Sequence, residues 1–298
     1  MISIALASYN GSKYIREQLD SILMQTYQDF ELIICDDCST DNTWQILEEY
    51  AQLDHRIKIF KNEKNLGFKN NFEKAISKCI GEYIALSDQD DVWYPNHLAL
   101  LYNNIGDNTV AVGDATLIDG DGRDLDMSLK WQMGIDRKYH NPVEMALTIL
   151  CNRNWMQGAS MLLNKRYLDL FFPMPKCVKF HDVWISLVAC IHSKLLFIDI
   201  PITKYRQHGN NTSSKHKKRR NKFLICMKHL LVSNILDDRL NMIKEIEKKC
   251  SKLSDYAKQI LQETNIYHKR KGSFCGRIKN LINELNNRKI IYSINDGK

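Results

Sequence analysis

Two aspartates, Asp88 and Asp90, stand two residues apart where a run of apolar residues ends, and they are the clearest candidates for chemistry in the chain. In an extended chain, side chains two residues apart point to the same side, so the two carboxylates would lie close together. Like charges at that distance repel each other unless a cation lies between them. Oxygen ligands favour Mg²⁺ or Mn²⁺, and either ion can take phosphate oxygens as further ligands. The pair predicts a divalent metal and a nucleoside diphosphate, with an acidic surface turn as the alternative.

The segments around these aspartates alternate between strands and helices. Strands are predicted at residues 2–8, 30–35, 57–60 and 83–86, and helices at residues 14–24, 44–53 and 72–79. Such alternation predicts an α/β fold with a mostly parallel sheet flanked by helices, in which ligands bind at the carboxyl ends of the strands. Those ends carry Tyr9, Asp37 and Asp88. No glycine-rich loop follows the first strand, which argues against an ordinary dinucleotide-binding fold, a P-loop enzyme or a nucleotidyltransferase.

Two further places hold candidate side chains whose roles the residues alone leave open. Asp182 stands just before an apolar helical segment, where an aspartate usually caps the helix. The small residues Gly158 and Ala159 precede a strand, and they allow either close approach by a ligand or tight packing against the sheet. A stretch without clear periodicity, residues 131–139, is predicted to be a mobile flap over the binding site of an acceptor substrate.

The charge of the chain is divided unevenly along its 298 residues. Residues 1–214 contain 21 Lys and Arg against 27 Asp and Glu, a net charge of −6, whereas residues 215–298 contain 21 against 8, a net charge of +13. We therefore expect two domains, 1–214 and 215–298, the second basic and mainly helical. The basic domain could pack on the first or lie on an anionic lipid surface, and these alternatives are compatible. Nucleic acid is disfavoured as a partner because no recognised binding module accompanies the charge.

The expected location of the protein follows from what the sequence lacks. The N-terminus has no basic region followed by a signal-peptide core, and no apolar run approaches the roughly 20 residues of a membrane span. The nine cysteines are scattered through apolar segments, which is typical of reduced thiols rather than of a disulfide framework. We expect a cytoplasmic protein, with peripheral contact on the inner face of the cell membrane if the basic domain binds lipid.

Three blocks of sequence resemble the family 2 glycosyltransferases of the GT-A fold. In chain order these are Ala7-Ser8-Tyr9-Asn10, Asp36-Asp37-Cys38-Ser39-Thr40-Asp41, and Gly81-Glu82-Tyr83-Ile84 running into Asp88-Gln89-Asp90-Asp91. The segments 87–93, 181–184 and 205–211 are also similar to a bacterial subgroup described as rhamnosyltransferases. The resemblance covers residues 1 to about 212 and leaves the basic domain without a counterpart.

The resemblance implies a metal-dependent, inverting transfer of a sugar, rhamnose in the subgroup, from a UDP- or dTDP-linked donor to a surface-polysaccharide or lipid-linked glycan acceptor. It makes Asp182 the catalytic base. It assigns Mn²⁺ or Mg²⁺ to Asp90, Asp88 and His208. Donor contacts are expected from Ala7, Tyr9, Asp37, Lys69, Asp88, Gly158, Ala159 and Arg206, with Tyr9 packing on the nucleobase, Asp37 accepting its imide N–H and Asp88 binding the ribose. Trp184 and His181 are candidate acceptor contacts.

The chain departs from the family pattern at one position. Many relatives carry an Arg-Asn pair seven and eight residues past the asparagine of Asn65-x-Gly67, whereas this chain has Phe72 and Glu73 there. Lys69 is the nearest substitute cation. A non-catalytic subunit that holds a nucleotide sugar or a glycan within an assembly complex is the alternative function, and the presence of Asp182 beside the aspartate cluster argues against it.

Overall fold

The computed structural model describes residues 1–135, 145–146, 149, 154–192, 194–209, 241–242, 244–246 and 248. Internal contacts divide the chain into two units, residues 1–216 and 217–298, a division that falls two residues beyond the boundary expected from charge. In the second unit the described residues are helical. The rest of the predicted basic helices and residues 136–139 of the predicted flap lie outside the described residues. None of the described helices is both long and apolar enough to cross a membrane.

A mixed sheet runs through the first unit, and its strands are defined here in chain order. They are β1 (Ile2–Ser8), β2 (Phe30–Asp36), β3 (Ile57–Lys61), β4 (Tyr83–Asp88), β5 (Val92–Trp93), β6 (Val110–Ile118), β7 (Asp124–Ser128), β8 (Met161–Asn164) and β9 (Leu195–Arg206). The order across the sheet is β3-β2-β1-β4-β8-β6-β9-β5, and β7 pairs with β6. The first four strands are parallel to one another, whereas β8 is antiparallel to both β4 and β6.

Helices connect these strands in the order expected for an α/β fold. They are α1 (Ile15–Leu23), α2 (Thr43–Leu53), α3 (Phe68–Ser77), α4 (His97–Ile105), α5 (Leu129–Gln132), α6 (Leu168–Phe171) and α7 (His181–Ile191). Helix α1 shows why they dock on the sheet: Ile15, Leu19 and Ile22, spaced three or four residues apart, are fully buried. Helix α7 is different, because it is buried on nearly all sides from Val183 to Ile191.

Strand register brings the predicted site residues to one edge of the sheet. Ala7 of β1 is level with Cys35 of β2 on one side and with Asp88 of β4 on the other. Parallel strands in this register end together. The residues that follow β1 and β2 and those that end β4 therefore lie side by side.

Two elements differ from their predicted bounds for identifiable reasons. Helix α3 begins at Phe68, four residues earlier than expected, because Gly67 adopts a φ of 78° and ends the preceding loop directly before it. Strand β9 is longer than the strand that the sequence predicts at residues 197–200, because it continues through Pro201. Pro201 lies opposite Asp114, where the pairing of β9 with β6 is irregular, so the missing N–H is tolerated there.

Candidate active site

A cleft of about 850 Å³ opens where β1, β2 and β4 end. Its lining includes Tyr9, Asp37 and Asp88 from those strand ends, together with Asp182 of α7 and His208 just after β9. Ala7, Asp90, Gly158 and His181 also line it. The fold thus brings Tyr9, Asp37 and Asp88 together, as expected from the strand ends, and adds side chains from distant parts of the sequence.

The loop between β1 and α1 is held to β4 by one glutamine. The N–H of Tyr9 donates to Oε1 of Gln89 at 2.8 Å, and Nε2 of Gln89 donates to the carbonyl of Tyr9 at 2.9 Å. A Cβ on Gly11 would lie 2.2 Å from Oε1 of Gln89, so this close contact needs glycine at position 11. This pair of hydrogen bonds, the Gln89 clamp, leaves the Tyr9 side chain about half exposed in the cleft.

The same loop is held to the start of α2 by three side chains. The N–H of Asn10 donates to Ser39 Oγ at 2.9 Å, that of Gly11 donates to Thr43 Oγ1 at 2.8 Å, and that of Ser12 donates to Asp41 Oδ2 at 3.1 Å. Every backbone N–H from Tyr9 to Ser12 is thereby occupied. The sequence block Asp36 to Asp41 therefore has a structural task beside any ligand contact.

Asp37 lines the cleft but is itself buried and hydrogen-bonded within the chain. Its carboxylate accepts the N–H groups of Leu66 at 2.7 Å and Gly67 at 2.8 Å, and Nδ2 of Asn62 at 2.7 Å. These bonds fix the loop that precedes α3. Contact with a nucleobase would have to use the remaining acceptor capacity of a carboxylate that already accepts three hydrogen bonds.

Three aspartates crowd together at the end of β4. Burial, and then the charges of Asp90 and Asp182, raise the pKa of Asp88 well above its ordinary value. Burial also raises the pKa of Asp91, which is fully buried and accepts hydrogen bonds from Gln157 Nε2 at 2.6 Å and from the N–H of Arg206 at 3.0 Å. Asp91 thus anchors the turn, whereas Asp88 and Asp90 face the cleft. Crowded acids of this kind favour a cation among them.

His208 lies next to this acid cluster. Its Nε2 is 2.8 Å from Oδ2 of Asp90, and its ring packs on Tyr14 with centroids 4.9 Å apart. Two carboxylates and an imidazole suit Mn²⁺ chemically. In the described part of the chain, however, no three His, Cys, Asp or Glu side chains already stand in a metal-holding cluster. The direct contact between His208 and Asp90 would have to open for a cation to bind between them.

Asp182 occupies the first turn of α7. Its Oδ2 accepts a hydrogen bond from Nδ2 of Asn154 at 3.2 Å, and its Oδ1 accepts the N–H of Val183 at 2.7 Å. Phe180, not Asp182, stands at the N-cap position. The carboxylate is partly exposed to the cleft, close enough to Asp88 for its charge to raise that neighbour's pKa.

His181 is a buried imidazole in the cleft wall. It is 7% exposed, its ring packs against Phe72 at 4.4 Å, and neither ring nitrogen has a hydrogen-bond partner in the part of the chain that the structure describes. Burial lowers the pKa of His181 to about 4, so the ring is neutral near pH 7. A Cβ on Gly158 would lie 2.3 Å from its Nε2, so glycine is what leaves room for the ring.

Four expected contacts are placed elsewhere by the structure. Lys69 Nζ donates to the carbonyl of Pro175 at 3.3 Å and does not line the cleft. Arg206 is buried, donating to Glu17 and, through Nε, to the carbonyl of Asp90 at 2.8 Å, so it supports the aspartate turn from behind.

Ala159 is buried with its carbonyl accepting Trp93 Nε1 at 3.1 Å. Trp184 lies in the core, where Nε1 donates to the carbonyl of Phe171 at 2.8 Å, because α7 is apolar on almost every face.

Several lining residues were missed by sequence reasoning. Phe68 and Phe180 expose part of their rings at the cleft, 6.1 Å apart between centroids. Asn154 holds Asp182, and Lys13 lines the cleft beside Tyr14. Phe68 lies four residues before the predicted helix start, so the predicted elements gave no signal for it, and nothing in the spacing distinguishes Lys13 from the other lysines.

Solved structures share this architecture at low sequence identity. S. aureus TarS 1-349, in complex with UDP-GlcNAc, matches with a TM-score of 0.63 at 20% identity, covering 90% of this chain and 72% of that one. The mannosyltransferase PcManGT from Pyrobaculum calidifontis, in complex with GDP-Man and Mn²⁺, matches with a TM-score of 0.50 at 15% identity, covering 95% and 79%. The fold is therefore the GT-A fold of glycosyltransferases, as the sequence blocks predicted.

Sequence comparison identifies the family. The family model described as glycosyl transferase family 2 matches residues 3–173, more than half of the chain, which therefore belongs to glycosyl transferase family 2. Among curated relatives, the UDP-Glc:alpha-D-GlcNAc-diphosphoundecaprenol beta-1,3-glucosyltransferase WfgD of Escherichia coli is 26% identical over 221 residues, covering 73% of this chain and 81% of the relative. The predicted membership in family 2 is confirmed.

Proposed function

We propose that this glycosyltransferase moves a sugar from a nucleoside diphosphate donor to a glycan hydroxyl, with inversion at the anomeric carbon. The observation that carries the proposal is the position of Asp182, which reaches from α7 into the same cleft as Asp88 and Asp90 of the β4 end. The nucleotide sugars bound by TarS and by the mannosyltransferase support a donor of this class.

The donor's nucleoside would lie against the ends of β1 and β2. The half-exposed ring of Tyr9 offers a face for the base, and the Gln89 clamp holds that residue in place. Ala7 and Asp37 line the same part of the cleft. Asp88 is assigned to the ribose hydroxyls, since a carboxylate that faces the cleft can accept their hydrogen bonds.

A divalent cation would be held by Asp90 and His208, with Asp88 as a further oxygen ligand. The donor set and the raised pKa of Asp88 fit a cation, and the mannosyltransferase bound Mn²⁺. When bound, such an ion neutralises charge on the leaving diphosphate. Arg206, which bonds the carbonyl of Asp90 from behind, keeps that residue's backbone in place for the task.

Asp182 is assigned as the general base. The acceptor oxygen would lose its proton to the Asp182 carboxylate as it forms the new bond to the anomeric carbon. The bond from that carbon to the phosphate oxygen breaks, and its electrons leave with the nucleoside diphosphate. The hydrogen bond from Asn154 orients the carboxylate for this step.

His181 is assigned to a substrate hydroxyl on the acceptor side. A buried polar group without a partner costs about 1–3 kcal/mol. The imidazole has no hydrogen-bond partner among the described residues, so it gains most from a ligand that supplies one. A neutral ring can donate or accept, which suits a hydroxyl. Its neighbour Gly158 leaves the space that the ring occupies.

The acceptor and the donor sugar are narrower proposals. WfgD is named for a diphosphoundecaprenol-linked acceptor, which supports a lipid-linked glycan here. The +13 charge of residues 215–298 would then serve peripheral contact with an anionic membrane surface. Rhamnose, delivered from a dTDP- or UDP-linked donor, rests on the subgroup resemblance of residues 87–93, 181–184 and 205–211.

A donor panel tests the proposal. The full chain is mixed with UDP-, dTDP- and GDP-linked sugars, with and without Mn²⁺, and thermal unfolding is measured. A donor at 100 times its Kd stabilises the folded chain by about 2.7 kcal/mol, so a clear, Mn²⁺-enhanced rise in Tm is expected for at least one donor. If no nucleotide sugar raises Tm, the proposal fails.

The binding-module alternative is separated by turnover. The donor chosen by that panel is incubated with the chain and Mn²⁺, and release of nucleoside diphosphate is followed with and without added glycan acceptors. A transferase releases nucleoside diphosphate, faster when its acceptor is present. Tight donor binding without release under every condition would favour the non-catalytic subunit.

A further inference from the structure

The cleft is strongly acidic for a site that would take a diphosphate. Four carboxylates line it, those of Asp37, Asp88, Asp90 and Asp182. A diphosphate adds negative charge to the same space, and one divalent cation near Asp90 cannot offset all of it. A further positive group or a set of N–H donors is needed beside the phosphates.

Backbone N–H groups do not supply what is needed at the β1–α1 loop. The loop after the first strand is where many nucleotide-binding folds hold phosphate through the main chain. Here the four successive N–H groups from Tyr9 to Ser12 all donate to side chains, namely those of Gln89, Ser39, Thr43 and Asp41. From Tyr9 to Ser12 the loop can therefore offer a phosphate only its side chains.

The two cations that were expected among the donor contacts also have other partners. Lys69 bonds the carbonyl of Pro175, and Arg206 is buried between Glu17 and the aspartate turn. Among the described residues that line the cleft, Lys13 is the single lysine or arginine.

Lys13 stands in the right place for a phosphate contact. Its side chain is exposed, and its Nζ lies 4.8 Å from the ring centroid of Tyr14. That ring is in turn 4.9 Å from the ring of His208, whose Nε2 bonds Asp90. One aromatic ring thus separates the Lys13 ammonium from the Asp90–His208 pair, and the hydrogen-bonded loop limits how far the lysine backbone can move.

We infer that Lys13 binds the diphosphate of the nucleotide and offsets the charge that the acidic cleft adds to it. The inference rests on the proposed function and deepens it, since it names the cation that replaces the arginine that many relatives have at position 72. The ammonium acts by attraction to phosphate oxygens and takes no part in proton transfer at Asp182.

The test compares each nucleoside diphosphate with its own nucleoside. Binding of UDP and uridine, dTDP and thymidine, and GDP and guanosine to the full chain is measured by calorimetry with Mn²⁺ present. For the pair that the wild type binds, Lys13→Ala is expected to weaken the diphosphate about tenfold, the loss of one charge-assisted contact, and to leave the nucleoside unchanged. Lys13→Arg should keep most of the affinity.

Lys64→Ala is the matched control, because Lys64 is exposed and outside the cleft lining, and its removal changes the net charge equally. It should leave diphosphate binding unchanged. Unaltered diphosphate affinity in Lys13→Ala, an equal loss for nucleoside and diphosphate, or an equal loss in Lys64→Ala would overturn the inference while the proposed function stands. A wild type that binds no nucleoside diphosphate would overturn both.

Discussion

Two walls of the same cleft differ in how far their polar groups are hydrogen-bonded by the chain itself. In the β1–α1 wall, residues 9–13, every N–H from Tyr9 to Ser12 already donates to a side chain of the chain itself. In the α7 wall, Gly158 with His181 and Asp182, the imidazole of His181 is buried and finds no hydrogen-bond partner among the described residues. The N–H groups of residues 9–12 in the first wall are satisfied without a ligand, whereas the second wall leaves a polar group that a ligand would satisfy.

The contrast indicates which wall should mainly bind the donor and which should take part in the reaction. Each satisfied hydrogen bond of the β1–α1 wall contributes about 0.5–1.5 kcal/mol, whereas an unsatisfied buried group costs about 1–3 kcal/mol. A preformed wall suits the part of the donor that does not react. The unsatisfied wall suits the sugar and the acceptor, where interactions change during the reaction. Substitutions in the two walls should therefore affect different constants.

The largest effect is expected from Asp182→Asn. Removal of a general base typically lowers the rate by 10²–10⁴-fold, so we expect transfer to fall by about a thousandfold while the donor Kd stays within a factor of about two. Steady-state kinetics and donor calorimetry check this. Asp169→Asn, an exposed residue of α6 that does not line the cleft, is the matched control and should behave like wild type. Comparable turnover in both variants would refute the assignment of the base.

Gly158→Ala should break the α7 wall without touching the loop. The new Cβ would lie 2.3 Å from Nε2 of His181, so the imidazole must move. Overpacking of this kind costs about 1–3 kcal/mol of unfolding free energy, and we expect kcat to fall by about tenfold or more as the ring leaves its place. Denaturant unfolding and initial rates measure the two effects.

Gly209→Ala serves as its control, because a Cβ there meets no atom of the described residues within 4 Å although Gly209 also lines the cleft. Equal behaviour of the two alanine variants would show that the contact with His181 does not matter.

Gln89→Ala should weaken the β1–α1 wall alone. The variant loses both hydrogen bonds that hold Tyr9, which we expect to lower the unfolding free energy by about 1–2 kcal/mol and to raise the donor Kd severalfold. Transfer at saturating donor should change little, because Asp182 and His181 are undisturbed. A fall in kcat with an unchanged Kd would contradict the division of tasks between the two walls.

The smallest effect concerns pH. Burial lowers the pKa of His181 to about 4 and that of His97, which lies away from the cleft, to about 3. Below the ordinary histidine pKa of about 6.5, each of these rings binds a proton in the unfolded chain but stays neutral in the folded one. The free energy of unfolding therefore falls as the pH falls toward the lowered pKa values of the folded rings. Between pH 7.5 and 5.5 each ring should lower the unfolding free energy by about 1 kcal/mol.

A variant isolates the share of His181. The stability difference between wild type and His181→Asn should shift by about 1 kcal/mol over that pH range, to the disadvantage of wild type at pH 5.5, because asparagine does not titrate. Urea unfolding at the two pH values measures it. A difference that does not vary with pH would mean that His181 is not buried in the neutral form.

Local patterns predicted much of this molecule. Strands β1 to β4 were predicted to within two residues at each end, because the continuous apolar runs of buried parallel strands can be recognised in the sequence. The ends of these strands brought Tyr9, Asp37 and Asp88 together as expected. The resemblance added Asp182 and His208, which no local pattern would have joined to them.

Long-range contacts account for what was missed. Arg206 is turned away from the cleft by Glu17, 189 residues earlier, and Lys69 by the carbonyl of Pro175, 106 residues later. Trp184 lies on a helix that is apolar all round, so it is core rather than a platform for sugar. Spacing along a chain carries no information about such partners, which is also why Lys13 gave no signal.

The anomeric configuration of the product tests the central claim most directly. A single displacement in which Asp182 deprotonates the acceptor must invert the configuration of the donor sugar, and proton NMR of the product formed from a nucleotide sugar of defined configuration reads it. The account predicts an inverted anomer in the first product formed by the wild type. A first product with retained configuration would contradict it, since a single displacement from the face opposite the leaving group cannot retain the configuration.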